Sequence, residues 1–123
     1  MSESSNYLDP SVLKGLSQFL DEEKQLHLLD RYLYDSQQLI EQLVSALTDN
    51  DATEARRMVH SLKSTSANVG ALPLSSLSKE LEMLAAEEKL DEVRSRVDEL
   101  IECFAHTSEA INNLDIMQSR QAS

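Results

Sequence analysis

Apolar residues recur along this chain at steps of three and four, the spacing of one face of an α-helix. Asp9-Pro10 places an acceptor side chain before a proline at a first helical position, and a short first helix is predicted through Leu13, Leu16, Phe19 and Leu20. The acidic run Asp21-Glu22-Glu23 marks a new start. Leu28, Leu29, Tyr32, Leu39, Ile40, Leu43 and Leu47 then predict a long second helix to about Thr48, with Asn50-Asp51 as its stop and the next cap. A third helix carries Ala55, Met58, Val59, Leu62, Ser66 and Val69 on one face and stops at Gly70, a natural left-handed cap. Pro73 opens a fourth, with Leu74, Leu77, Leu81, Leu84 and Ala85 inward. Glu87-Glu88-Lys89 interrupts the stripe, and Leu90, Val93, Val97, Leu100, Ile101, Phe104, Ser108 and Ile111 predict a fifth helix to about Asp115.

No segment alternates with a period of two, and the links between stripes are a few residues long, so neighbouring helices should be antiparallel. The expected fold is all-α: an up-down antiparallel four-helix bundle with an additional short N-terminal helix. One domain should span 7–116, with flexible polar ends at 1–6 and 117–123.

Composition narrows the partners. The 123 residues contain 22 acidic and 11 basic side chains, a formal charge of -11 that repels nucleic acid and anionic membranes. Another protein or a small molecule is the expected partner. The lone Cys103 cannot form an internal disulfide, MSESSNYLDP lacks the features of a secretion signal, and no apolar run reaches the roughly 20 residues that span a bilayer. A cytoplasmic monomer is the expectation.

The histidines differ in their surroundings. On the third helix His60 falls roughly 150° from the apolar direction, so it faces water. Arg56, Lys63, Ser64 and Ala67 lie beside it on the helix surface. Small residues at one-turn steps leave the ring proud of a shallow surface, open to a bulky partner. Lys63, with Arg56 or Arg57, could pair with an anion carried on the ring. An exposed histidine on a helix is more often a plain polar residue. His27, beside Asp30 and Arg31, and His106, beside Glu102 and Glu109, serve as controls, and both read as solvated surface. Neither combines a basic neighbour with successive small residues, which favours His60.

His60-Ser61-Leu62-Lys63 followed by Ser64, Ser66 and Gly70-Ala71, then Leu74, Leu77 and Leu81-Glu82, resembles the histidine-containing phosphotransfer (HPt) domain. The resemblance implies a helical bundle that exchanges a phosphoryl group between His60 and aspartates of response-regulator receiver domains. It implies Lys63 as the basic residue stabilising the phosphate and Glu82 as the group orienting the ring. A wheel places Glu82 roughly 100° off its own stripe, where such a reach is possible; a salt-bridging surface glutamate is the alternative. Arg56, Arg57, Ser64, Ala67 and Gly70 are expected to meet the partner. Val59, Ser64 and Ser78 stand where the family commonly has alanine, glycine and cysteine, and of these only Ser64 lies on the docking face.

A sensor or hybrid histidine kinase and a receiver domain are the partners so implied, with Mg²⁺ on the receiver and no cofactor on this chain. There is no Gly-rich phosphate loop, nucleotide motif or metal-ligand cluster in the sequence, so the chain is expected to carry phosphate without kinase activity or ATP binding of its own. The competing reading is a helical adaptor or dimerisation module that docks a signalling partner through the His60 face without chemistry.

Overall fold

Aspartate side chains start the first three helices. In the computed structural model, which describes residues 6–122, Asp9 accepts from the backbone N–H of Ser11 at 3.0 Å and Pro10 follows it into α1 (Pro10–Leu16). Asp21 caps α2 (Glu22–Thr48) through the N–H of Lys24 at 2.9 Å, and Asp51 caps α3 (Ala52–Asn68) through that of Glu54 at 3.0 Å. Each side chain satisfies a donor that the first helical turn would otherwise leave unpaired. α4 (Leu72–Ala86), α5 (Leu90–Ser95), α6 (Val97–Asn112) and α7 (Asp115–Ala122) complete an all-helical chain, with no strand among the described residues.

Three helix ends share one hydrogen-bond pattern. After α3, the N–H of Gly70 reaches the carbonyl of Ala67 at 3.1 Å and that of Ala71 reaches Ser66 at 2.8 Å, with Gly70 at φ 82°. Asn50 (φ 54°) closes α2 in the same way, and Glu88 (φ 59°) closes α4. This double bond back into the last turn requires a left-handed residue and reverses the chain within three residues. α2 packs on α3, α3 on α4, α4 on α6 and α6 on α2, closing a ring around one core. Leu43, Val59, Leu62, Leu74, Leu81, Leu100 and Ile111 fill that core and are buried, and Val93 of α5 joins them. Tyr32 is buried with them, its hydroxyl 2.7 Å from Oγ of Ser66; burial pushes the phenol up to about 12, so the pair stays neutral.

Three expectations about the helices need correction. The first helix stops at Leu16: the hydroxyl of Ser17 bonds the carbonyl of Lys14 at 2.6 Å, the chain turns, and Phe19 is left 83% exposed. The expected fifth helix is two, α5 and α6, broken at Arg96 (φ -111°, ψ 3°). Ser95 Oγ bonds the carbonyl of Glu92 at 2.7 Å, while the guanidinium of Arg96 holds Glu99 at 2.9 Å and Glu80 on α4 at 3.2 Å. Of the tail expected to be flexible at 117–123, residues 117–122 belong to α7, and residue 123 lies outside the described residues. Met117 is buried, Gln118 donates to the carbonyl of Asn112 at 2.7 Å, and Arg120 meets Asp30 of α2 at 2.5 Å. Of the flexible stretch expected at 1–6, residues 1–5 lie outside the described residues.

Residues 7–9 dock on the bundle. Tyr7 stacks on His106 with ring centroids 5.0 Å apart, Leu8 is buried, and the N–H of Asp9 bonds the carbonyl of Gly70 at 2.8 Å. His106 is therefore half-buried packing, not plain solvated surface, whereas His27 is exposed as expected.

Two stability measurements follow. A Cβ at Gly70 would sit 2.9 Å from the carbonyl oxygen of Asp9 and 3.0 Å from Cβ of Val12. The left-handed backbone alone costs an L-residue roughly 1–2 kcal/mol, so Gly70→Ala should lose at least that much in urea unfolding. Ser78 is fully buried and its Oγ has no partner among the described residues, so Ser78→Ala should be neutral or stabilising by up to ~1 kcal/mol in the same assay.

Candidate functional site

The inner face of α3 decides where its histidine points. Ala55, Met58, Val59, Leu62 and Ser66 are buried, and the residues between them must therefore face outwards. His60 emerges on that outer face with its side chain 57% exposed. Across the narrow seam, Ser78, Leu81 and Ala85 are the buried positions of α4, which sets Glu82 on the flank facing α3.

Glu82 uses both carboxylate oxygens. Its Oε2 lies 2.6 Å from Nδ1 of His60, and its Oε1 accepts from Nζ of Lys63, also at 2.6 Å. Lys63 holds the Glu82 carboxyl below the usual carboxylate range, and His60 adds to this, while partial burial works in the opposite direction. A charged carboxylate can only accept, so the ring nitrogen facing it must be the one that carries the proton. Nε2 is then left with its lone pair free, on the side of the ring turned away from α4.

One residue of this arrangement was missed in the sequence. Ser75 Oγ donates to the backbone carbonyl of Lys63 at 2.8 Å, tying α4 to α3 two turns before Glu82. Ser75 and Glu82 are seven residues apart and so share one flank of α4. That spacing was the available signal, but a serine in a first helical turn also reads as ordinary helix start.

The other expected site residues divide. Arg56, Arg57, Ser64 and Ala67 are exposed on α3 beside His60. A groove of about 440 Å³ runs along this face, lined by Thr53, Arg56, Arg57, His60, Ser61 and Glu82. Arg57 is ion-paired with Glu54, one turn back. Gly70 does not belong to this face: it is buried under the N-terminal segment, where it accepts the N–H of Asp9. Its role is to turn the chain, and the correction follows from what docks on it.

Elsewhere the described residues offer less chemistry. A cleft of about 460 Å³ between α1, α2 and α7 is lined mainly by leucine and isoleucine, including Leu13, Leu16, Leu28 and Ile116. No group of three or more His, Cys, Asp or Glu among the described residues could hold a metal ion, and no helix there is long and apolar enough to cross a membrane.

The site thus consists of an exposed imidazole with a fixed proton, a carboxylate behind it and cations on either side, on the surface of a helical bundle. The Hpt domain family model matches residues 27–110, which contain all of these groups. The crystal structure of histidine-containing phosphotransfer protein B (HptB) from Pseudomonas aeruginosa PAO1 is similar to this chain at 31% identity and a TM-score of 0.84, covering 95% of this chain and 96% of that one. No curated protein sequence matches. The family match over most of the chain and the likeness in fold agree: the chain belongs to the Hpt domain family, the histidine phosphotransfer domains of two-component signalling.

Proposed function

We propose that the chain is a phosphoryl carrier, with Nε2 of His60 exchanging phosphate with aspartates of response-regulator receiver domains. The observation that carries this reading is the 2.6 Å contact between Nδ1 of His60 and Glu82, which leaves the exposed Nε2 as the nucleophile. In the loading step the Nε2 lone pair forms a bond to phosphorus as the P–O bond of the aspartyl phosphate breaks. The electron pair of that bond returns to the aspartate carboxylate. The proton on Nδ1 stays where it is, so the phosphorylated ring is cationic and Glu82 offsets its charge. Donation to a second receiver is the same step reversed.

Lys63 acts through Glu82 in this scheme, keeping the carboxylate charged and aimed at the ring. Ser64 and Ala67 leave the surface low enough for a receiver to approach. A sensor or hybrid histidine kinase would load the relay upstream, and we place the Mg²⁺ in the acidic site of the receiver, assigning no cofactor to this chain. Catalysis by this chain is then positioning and electrostatics.

Incubation with a phosphorylated receiver domain should give an alkali-stable, acid-labile phosphoryl group on His60, and His60→Gln should remain unlabelled. Labelling that persists in His60→Gln would move the chemistry to another residue; a receiver that binds the unaltered protein without labelling it would leave an adaptor. Lys63→Ala should fold and transfer roughly 10- to 100-fold more slowly, since the ring loses its fixed orientation. Equal rates would remove Lys63 from the mechanism.

The lowered Glu82 carboxyl also makes a pH signature. A group whose folded value lies below its unfolded one contributes stability above the unfolded value, here near 4.5, and loses it as pH falls through the folded value. The stability that the Glu82 carboxylate adds over Glu82→Gln should therefore be present above pH 4.5 and shrink on acidification below it. Urea titrations across that range read it directly, and a difference that grows in acid would contradict the assignment.

A further inference from the structure

We propose that Arg56, and not Lys63, is the cation that contacts the phosphoryl group carried on Nε2 of His60. The assignment rests on the phosphotransfer reading above and names the residue that would meet the transferred group. Lys63 has a partner already: its Nζ lies 2.6 Å from Oε1 of Glu82, and its side chain is only 29% exposed. Drawing it off to a phosphate would break that ion pair and release the carboxylate that holds the ring. Lys63 also does not line the groove beside His60.

The ring leans the other way. Helical side chains tilt towards the N-terminus of their helix, so the imidazole of His60 overhangs the turn that carries Arg56 and Arg57. Nδ1 is held by Glu82, and the ring borders the groove of about 440 Å³ that both arginines line together with Thr53, Ser61 and Glu82, so a group on Nε2 has that groove beside it. Three phosphoryl oxygens need donors there. Arg57 is engaged with Glu54. Arg56 is exposed and, among the described residues, makes no ion pair or side-chain hydrogen bond. Its guanidinium can present two parallel N–H groups to two phosphoryl oxygens, a geometry an ammonium cannot copy. It donates hydrogen bonds only; no proton moves, and the bonds made and broken at phosphorus are those of the loading step.

The test separates contact with phosphate from contact with a protein partner by using two donors. Phosphoramidate is a small donor with no docking surface; a phosphorylated receiver domain has one. Arg56→Ala should label His60 at least tenfold more slowly with both, and Arg56→Lys should recover part of the loss. Arg31→Ala, which removes one positive charge from an exposed position on α2 paired with Asp35, should label at the unaltered rate. In the phosphorylated protein, the ³¹P resonance should titrate at higher pH in Arg56→Ala, because the dianionic phosphoryl group has lost its cation. A loss seen only with the receiver would make Arg56 a docking residue and overturn the proposal, as would unchanged labelling or an unmoved ³¹P titration. If the unaltered protein takes phosphate from neither donor, the phosphotransfer reading itself falls and the assignment falls with it.

Discussion

Everything at the site depends on how closely α4 follows α3. The reversal is made by three residues, and Gly70 is the one that must be left-handed, with the N-terminal segment packed against the space where a side chain would begin. From that turn the two helices run antiparallel, so that Ser75 meets the carbonyl of Lys63 and, two turns on, Glu82 meets His60. A longer link would leave the register loose. A loose register would cost the histidine its fixed proton, because a carboxylate displaced by an ångström or two no longer makes a 2.6 Å bond.

The ring's chemistry is thereby coupled to packing between two helices. Leu62, Leu74 and Leu81 are each fully buried in the seam or just behind it and fix the spacing of α3 and α4. Glu82 is partly buried, and it can remain charged there because Lys63 neutralises one oxygen while the imidazole proton occupies the other. Neither basic group could be removed without altering the surroundings of the other. Lys63 is thus better described as part of the ring's support than as a free counter-ion.

Periodicity made most of this legible in the sequence. The stripes of α2, α3 and α4 are regular, their ends carry Asp, Asn, Gly and Pro, and the outward direction of His60 follows from the inward direction of Val59 and Leu62. What escaped has physical reasons. Val93, Val97 and Leu100 keep helical spacing straight across the break at Arg96, so the apolar pattern contains no sign of it. Among the described side chains of α7 the one deeply buried is Met117, and a single position has no period. Gly70 was legible as a helix stop, but not as the floor beneath Asp9 and Val12, because contacts between distant segments leave no local mark. The three-residue step sets Lys63 one turn from His60, but that step could not say which anion it holds.

Charge completes the logic of the surface. The chain carries twice as many acidic as basic side chains, yet Arg56, Arg57 and Lys63 crowd within two turns of one helix. Several other cations are paired close to home: Arg31 with Asp35, Arg94 with Asp91, Arg96 with Glu99 and Arg120 with Asp30. Such exposed pairs add little to stability, but they leave those parts of the surface with no positive field to attract an anion. Around His60 the cancellation is incomplete, because Glu54 answers Arg57 and Glu82 is shared between Lys63 and the ring. The positive charge left over lies on the groove side of the imidazole, where a dianionic group would have to arrive.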